Sequence, residues 1–554
     1  MIKQVFFIVS ILVCVLADTI AQENDPIVEL SSDYKVPSAS VLQSILTSTS
    51  ENIYLLRKDY SGIGRQLRSV IIESYDRNSL KLTKAVDIDL KYSKKLRTFH
   101  DIFIVKGNMF LITSFFNSAK NKNFLFAQKL NKNFVPSDDL ILLSEIDSRN
   151  EAQTGDFLID HSRDTSKIII FNDIPTKRNE NERAKISVFD ADFNKIWDKK
   201  ISFPFESKLY ERLKFEVDKK GNAYILGKHY FEKRRNSRKD APNYEFVLEA
   251  YTELGEQKDK YQLNSKEKFI SNLTFEVNNK EQIICTGFYS DTNPRGVVSS
   301  NNNTRGNIKG IVFFSVDNIS KIIAEKTYSE FDLEFIALNE TERQKRVLER
   351  RANDSNENND PGLYSYDFRD VILRSDGGAV VIAEQYFAYD QTNDPSFNNG
   401  INNGINNNFN NGFRRDSIHV FSDIILVNIN PDGAIRWANA VPKYQSSFNY
   451  DTFRFLSFGN GNYRDKIYML FNERVDLFES EITGNRILRS HANSFGLAMA
   501  TIDKSGELEI ELLAPNREMG VQVLPTLIKQ IGKKEMLFYG ESNTKFRLGK
   551  INLN

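Results

Sequence analysis

The sequence predicts an all-β chain, folded as a single β-propeller of seven or eight four-stranded blades with one short helical insertion. Three observations carry this. One strand–turn–strand phrase recurs through to the C-terminus. The turns that close it are evenly spaced. The last unit is one strand short, and the N-terminal region offers the missing strand.

The phrase is clearest at Asp423 to Asn430, followed by Pro431-Asp432-Gly433 and then Ala434 to Trp437. It returns at Lys309 to Asp317, Asn318, and a strand beginning at Lys321, and again at Phe495 to Asp503, Lys504-Ser505-Gly506 and Glu507 to Ile510. Each unit parses as strands a to d, numbered from the inside outward. In the fifth unit, strand a is Phe269 to Val277, Asn278-Asn279-Lys280 is the turn, strand b is Gln282 to Tyr289, and strand c starts at Lys309. Asp, Asn and Gly recur at the turns because tight hairpins need left-handed backbone conformations. The c–d turns fall near residues 77, 132, 192, 254, 318, 432 and 505, at intervals of roughly 55 to 75 with one gap of about 114. The last unit, from about Val521, has three strands: Val523 to Gln530, Glu535 to Gly540 and Lys545 to Leu553. Residues Ile27 to Tyr34 are the expected fourth, which would close the ring and remove free sheet edges. An array of β-sandwiches is the alternative. It explains the spacing less well and needs no incomplete last unit.

The strand c–d phrase resembles the repeats of secreted bacterial β-propellers of the PQQ-like and WD40-like kind. Gly433 to Trp437 matches the Gly-x-x-x-Trp of PQQ-type repeats, and Asp192 to Trp197 has the same offset as Asp432 to Trp437. The resemblance implies a propeller. It does not imply the quinone cofactor, because the vicinal Cys pair usual in quinoproteins is missing. For Trp197 and Trp437 the expected role is packing between blades.

Lys plus Arg is 74 and Asp plus Glu is 74, a net charge of +0. That removes the global basic field of a nucleic-acid binder. The N-terminus reads as an export signal over residues 1–21: Lys3, then an apolar run from Phe6 to Leu16, then Thr19-Ile20-Ala21 before Gln22. The run is too short to span a bilayer, and no later segment is longer, so no transmembrane segment is expected in the mature chain. A buried first strand is one alternative. A lipoprotein signal at Cys14 is another, although Leu12-Val13 lacks the small residue such signals need. The localisation expected is periplasmic, cell-surface or extracellular. Removing the signal leaves Cys285 as the one thiol, so no intrachain disulfide forms. It sits in a strand-like run, Gln282 to Thr286, and reads as an inert core residue.

In a four-stranded blade, a–b and c–d turns share one face. The b–c loops and interblade connections share the other. Here nearly all of the first set is short, and the b–c loops are long: Pro175 to Ala184, Glu232 to Asn243, Ser290 to Asn307, Ala388 to Ser417 and Arg474 to Asn493. The longest interblade connection, Phe331 to Gly362, joins that face. It carries Asn339-Glu340-Thr341-Glu342, read as an N-cap with a carboxylate three residues on, and then a helix from Arg343 to Arg351. Phe231 to Lys239 is basic, and residues 388–417 form an Asn/Gly-rich, flexible loop. Long loops on a rigid scaffold are where binding sites concentrate.

No Gly-x-Ser-x-Gly, Walker loop, His-Glu-x-x-His or Cys-x-x-Cys occurs. His100, His161, His229, His419 and His491 are scattered, without metal-ligand spacing. No catalytic, cofactor or metal residue is therefore assigned. Channel-facing candidates near the starts of inner strands are Asp156, Arg212, Asp367, Arg369, Asp451 and Arg454. The function expected is a secreted or envelope-associated scaffold that binds a protein or glycan partner through the long-loop face. Alternatives are a polysaccharide hydrolase or lyase with a channel-mouth carboxylate site, or a structural subunit of an envelope assembly.

Overall fold

Runs such as Lys167–Ile174 and Gly310–Val316 are apolar on both faces. A strand of that kind must be covered on both sides, so each sheet needs a neighbour against each of its faces. The computed structural model describes residues 28–62, 66–150, 155–232, 241–263, 268–291, 308–317, 323–354, 361–390, 417–447, 453–479 and 494–554. The expected signal at 1–21, residues 233–240 of the basic segment, and residues 391–416 of the Asn/Gly-rich loop lie outside them.

Eight antiparallel blades form one ring. In order a to d, blade 1 is Ser40–Ser48, Asn52–Asp59, Ser69–Asp76 and Leu82–Asp89. Blade 2 is Thr98–Val105, Asn108–Asn117, Lys122–Lys129 and Ile141–Asp147. Blade 3 is Phe157–His161, Lys167–Ile174, Asn181–Asp190 and Lys195–Glu206. Blade 4 is Tyr210–Val217, Ala223–Tyr230, Tyr244–Tyr251 and Gln257–Gln262. Blade 5 is Phe269–Val277, Ile283–Ser290, Gly310–Val316 and Thr327–Glu330. Blade 6 is Tyr366–Leu373, Ala379–Asp390, Ser417–Ile429 and Ile435–Val441. Blade 7 is Phe458–Tyr463, Lys466–Arg474, Phe495–Ile502 and Leu508–Pro515.

Blade 8 closes the ring. Its outer strand comes from the N-terminal end of the described chain: Val28 pairs with Ile551, Leu30 with Gly549, and Tyr34 with Phe546. Its inner strand differs from expectation. The continuous run Val523 to Gln530 is broken into Gln522–Val523 and Lys529–Gln530 by a 3-10 turn, Pro525–Leu527. Proline supplies no ladder donor, so pairing stops there. In blade 5 the outer strand is Thr327–Glu330, later than the expected start at Lys321; a single bridge, Val316 to Ile323, precedes it.

Turns on the short side share one device. Asp218 Oδ1 accepts from the N–H groups of Lys220 and Asn222, both at 2.9 Å. Asp190, Asn278 and Asp503 repeat that spacing on their own turns. Each side chain replaces a backbone partner and fixes the hairpin. The c–d connections of blades 2 and 5 depart from the short pattern, spanning residues 130–140 and 317–326. On the other side, the blade 3 b–c loop is shorter than read, 175–180, and the blade 6 loop starts only after Asp390. The interblade helix is Glu342–Ala352. Its N-cap is Thr341, not Asn339, and Gln344 completes the capping box. A Thr hydroxyl with Gln three residues on satisfies both end donors, which an Asn339 cap would leave open.

Both tryptophans pack between blades. Trp197, in the outer strand of blade 3, donates Nε1–H to Gly221 O of blade 4 at 2.8 Å. Trp437 of blade 6 donates to Lys504 O of blade 7 at 3.0 Å. Each indole lies over a glycine of the next blade's c–d turn. A Cβ on Gly255 would stand 2.7 Å from Trp197, and one on Gly506 2.8 Å from Trp437. Gly433 meets Thr327 of blade 5 in the same way.

Gly506→Ala should therefore destabilise the protein by about 2 kcal/mol, because φ is +93° and the ring blocks the methyl. Chemical unfolding will read this; an unchanged midpoint would disprove the docking role. Tyr34 stacks on Phe546 at 5.2 Å and meets Tyr75 edge-on at 5.6 Å, with its hydroxyl donating to Leu80 O. Tyr34→Ala should cost about 2–3 kcal/mol and promote association through the bared edge of Lys545–Asn552, measured by size-exclusion chromatography.

Candidate functional site

Inner strands line the axis, and those of blades 2 to 6 each carry at least one charged side chain. On the short-turn face an axial cavity of about 390 Å³ opens between the a–b turns of blades 3, 4 and 5. Lys214, Glu216, Glu276, Asp160, His161 and Asp370 are among its lining residues. Lys214 and Glu216 sit two residues apart on one strand, so the pleat points both to the same side. Glu276 comes from the neighbouring inner strand. Lys214 Nζ reaches Glu216 at 2.6 Å and Glu276 at 2.5 Å, and donates to Phe275 O. Glu216 also accepts from the Val277 N–H at 3.0 Å. Burial pushes the Glu216 carboxyl up to about 7; Lys214 opposes the rise and Glu276 adds to it. A carboxyl that titrates near neutrality beside an ammonium and a second carboxylate is equipped for proton transfer. These three residues are not among the sequence-predicted candidates. The signal was present, as Lys-x-Glu before one a–b turn and Glu before the next, but spacing alone could not bring two blades together.

On the long-loop side of blade 6 lies a second charged group. Glu384 and Lys443 are both fully buried and pair at 2.7 Å. Arg369 reaches Glu384 at 2.8 Å, and Ser457 donates to it at 2.7 Å. The Lys443 N–H donates to Asp423. Burial lowers the Lys443 pKa, and Glu384 opposes that fall. An isolated charge here would be prohibitive, so the pair is mutually required.

The sequence candidates distribute as follows. Arg212 pairs with Asp173 and lies 4.4 Å over Phe171. Arg369 belongs to the buried group above, and Arg454 pairs with Glu541. Each of these arginines is held by a carboxylate. Asp367 sits beside Arg369 and Asn272. Asp156 lies at the entry to blade 3, where its carbonyl accepts from the Asn172 side chain. Asp451 and His491 are outside the described residues. His229 pairs with Glu245, His419 with the Tyr386 hydroxyl, and His100 with the Ser114 hydroxyl; burial lowers the His100 pKa to about 4. Among the described residues, no group of three His, Cys, Asp or Glu is arranged to hold a metal. Cys285 is fully buried and burial raises its thiol pKa, which makes it unreactive. No described helix is long and apolar enough to cross a membrane.

A third concavity, about 830 Å³, lies at the rim between blades 2 and 3. It opens toward the long-loop face beside the 175–180 connection, and Arg149, Lys177, Arg183 and Lys200 line it with Asp147 and Glu180.

Replacing Glu384 by Gln should cost about 3–5 kcal/mol, because Lys443 is left buried without its counter-charge. The double variant Glu384→Leu/Lys443→Met should recover most of that loss. Equal damage from single and double variants, in chemical denaturation, would show that the pair does not act as a unit. Glu216 gives a pH test. Its folded pKa lies above the unfolded value of 4.5, so its contribution to stability is full below pH 4.5 and is lost as pH rises through about 7. Glu216→Gln mimics the protonated form. It should match the wild type in thermal unfolding at pH 5 and exceed it by a few degrees at pH 8.

No family model matches the chain, and no curated protein matches it. Solved structures resemble it weakly. The WD40 domain of SCAP from fission yeast aligns over 95% of this chain and 98% of its own, at 6% identity and a TM-score of 0.33. Prolyl oligopeptidase B from Galerina marginata covers 93% of this chain and 55% of its own, at 8% identity and 0.36. The α-L-arabinanase of Penicillium chrysogenum covers 65% and 92%, at 8% and 0.28. At such scores the likenesses say nothing about activity, and the eight blades rest on the strand pairing itself.

Proposed function

We propose that this propeller is a secreted or envelope-associated binding scaffold that engages a protein or glycan partner through its long-loop face. One observation carries the reading: elaboration is concentrated on one side of the disc. The connections at 231–243, 291–309, 391–416 and 475–494 all join strand b to strand c, and the helical segment 331–363 joins two blades on that same side. The opposite face is mostly finished by hairpins locked through their own Asp and Asn side chains. Unselected insertion would fall on both faces. The 830 Å³ rim concavity opens on the elaborated side and adds polar and cationic groups suited to hydroxyl-rich or acidic partners.

A second reading is favoured by one feature. The axial Lys214–Glu216–Glu276 group supports a propeller enzyme with a channel carboxylate as proton donor. That group lies toward the short-turn face, away from the elaborated loops. A structural role in an envelope assembly draws support only from the export-signal pattern expected at residues 1–21.

The ends of the blade 6 loop sit side by side, since Asp390 pairs with Ser417. Residues 391–416 can therefore be replaced by a short turn without disturbing the blade. The helix Glu342–Ala352 buries no residue, whereas Phe331 and Phe335 belong to the core. A deletion should thus spare 331–338 and remove 339–360. Both variants should melt within about 2 °C of the wild type, because the blade 6 strand ends stay paired and the helix contributes no buried residue. Each should weaken capture of the native partner at least tenfold in a quantitative pull-down. Undiminished capture by both would refute the scaffold reading. Loss of turnover on a polysaccharide panel by Glu216→Gln, with capture intact, would favour the enzyme.

A further inference from the structure

Most buried cations in this ring are neutralised. Arg57 pairs with Glu73 at 3.0 Å, Lys185 with Asp198 at 3.2 Å, Lys443 with Glu384 at 2.7 Å and Lys550 with Glu29 at 2.9 Å. Arg97 differs. It is 8% exposed, and among the described residues no carboxylate reaches it. Its guanidinium packs against two rings, 4.3 Å from the centre of Tyr92 and 4.9 Å from that of Phe126. Among the described residues, its one side-chain hydrogen bond runs from Nη1 to Thr113 Oγ1 at 3.3 Å. Aromatic faces stabilise the charge but accept none of the in-plane N–H groups. Burial lowers the Arg97 pKa and only Tyr92 offsets it, consistent with a missing counter-ion.

The position is built by a local device. The link between blades 1 and 2 folds into a hairpin, Lys91–Tyr92 against Lys95–Leu96, with Ser93 and Lys94 both at positive φ. That turn lays Tyr92 over Arg97, and the Tyr92 hydroxyl donates to Asp138 O at 3.2 Å. Arg97 lines a groove of about 280 Å³ between the two blades, with Thr113, Gln128 and Ser137 as polar walls and Leu111 and Phe134 as apolar ones. Asp87, Asp89 and Asp138 stand at its exposed lip. They would repel a polyanion and leave room for a single negative charge.

We propose that this groove is a binding site for a small organic carboxylate, clamped by the free edge of the Arg97 guanidinium. The planar fork matches a carboxylate in two-pronged geometry, and the volume admits one ring-sized acid. Hydroxyl and amide walls beside apolar ones suit an acid sugar or an N-acylated neutral amino acid. The site lies at the connection between blades 1 and 2 and uses none of the long b–c loops.

The test is isothermal titration of the full chain with sodium glucuronate, sodium N-acetylglutaminate, glucose and sodium sulfate. One of the two carboxylates should bind saturably with Kd below about 1 mM, and the tighter one identifies the source; glucose and sulfate should bind at least tenfold more weakly. Arg97→Gln should weaken the carboxylate at least tenfold. Should that variant not fold, Arg97→Lys keeps charge and stem without the fork, and the same loss is expected. No saturation by either carboxylate up to about 20 mM overturns the proposal. Glucose or sulfate binding as tightly as the carboxylate, or unchanged affinity in the folded Arg97 variant, overturns it equally.

Discussion

A propeller blade cannot bury itself, and every other feature of this chain follows from that. Among the described residues, the core is divided into eight apolar clusters, each shared by two neighbouring blades. Leu226, Phe246 and Leu248 of blade 4 pack with Phe275, Cys285 and Phe314 of blade 5. Ile424 and Leu426 of blade 6 pack with Met469 and Phe471 of blade 7. Tyr75 of blade 1 packs with Tyr539 and Phe546 of blade 8. No cluster is complete until its partner blade is present, so stability is a property of the closed circle. The pairing of Val28–Leu30 with the last strand matters for this reason more than for its few hydrogen bonds. It fixes blade 8 as a full sheet and so completes the two clusters at the seam.

Closure also decides where polar groups go. Sheet faces are consumed by packing, so charge is left for the axis, the rim and the turns. At the axis, neighbouring inner strands bring like and unlike charges together without solvent enough to screen them. The chain answers by pairing: Lys214 between Glu216 and Glu276, and Asn460 with Asp370. Further out, Arg57 holds Glu73 while lying 5.0 Å over Phe546, a charge placed inside an apolar cluster at the seam. Such groups add little net stability over well-packed apolar residues. Their value lies in register, because a blade shifted by one residue would strand a buried charge.

Architecture was legible in the sequence because repetition is local. The Asp–Gly turns, the strands around Phe269 to Val277, and the missing last strand are each read within one stretch of chain. Six of the seven c–d turns fall where the spacing placed them; the one placed near residue 318 lies outside the described residues, and its outer strand starts later, at Thr327. The interrupted inner strand of blade 8 was missed because Pro525 lies inside an otherwise strand-like run. The cap of the interblade helix was misplaced because Asn339 and Thr341 are both good caps, and only Gln344 separates them. Site geometry was less legible. Arg369 and Arg454 were named, but their partners Glu384 and Glu541 lie on other strands. Lys214, Glu216 and Glu276 come from two blades whose adjacency is set by the ring.

The two faces answer different physical demands. A short hairpin must carry its own solution to the left-handed backbone, which is why Asp, Asn and Gly crowd one side of the disc. A b–c connection starts and ends on adjacent paired strands, as Asp390 and Ser417 do. Its length then costs only the slowly growing entropy of closing a longer loop. The scaffold therefore carries its largest changes on the b–c face, and on the other face the longer c–d connections are those at 130–140 and 317–326. The axis and the rim obey a third rule, since they lie between blades and change only when two blades change together. Lys214 with Glu276, and Arg97 with the hairpin that presses Tyr92 upon it, sit at such interfaces. A chemical group held there is positioned by the ring itself, to the same tolerance as the core.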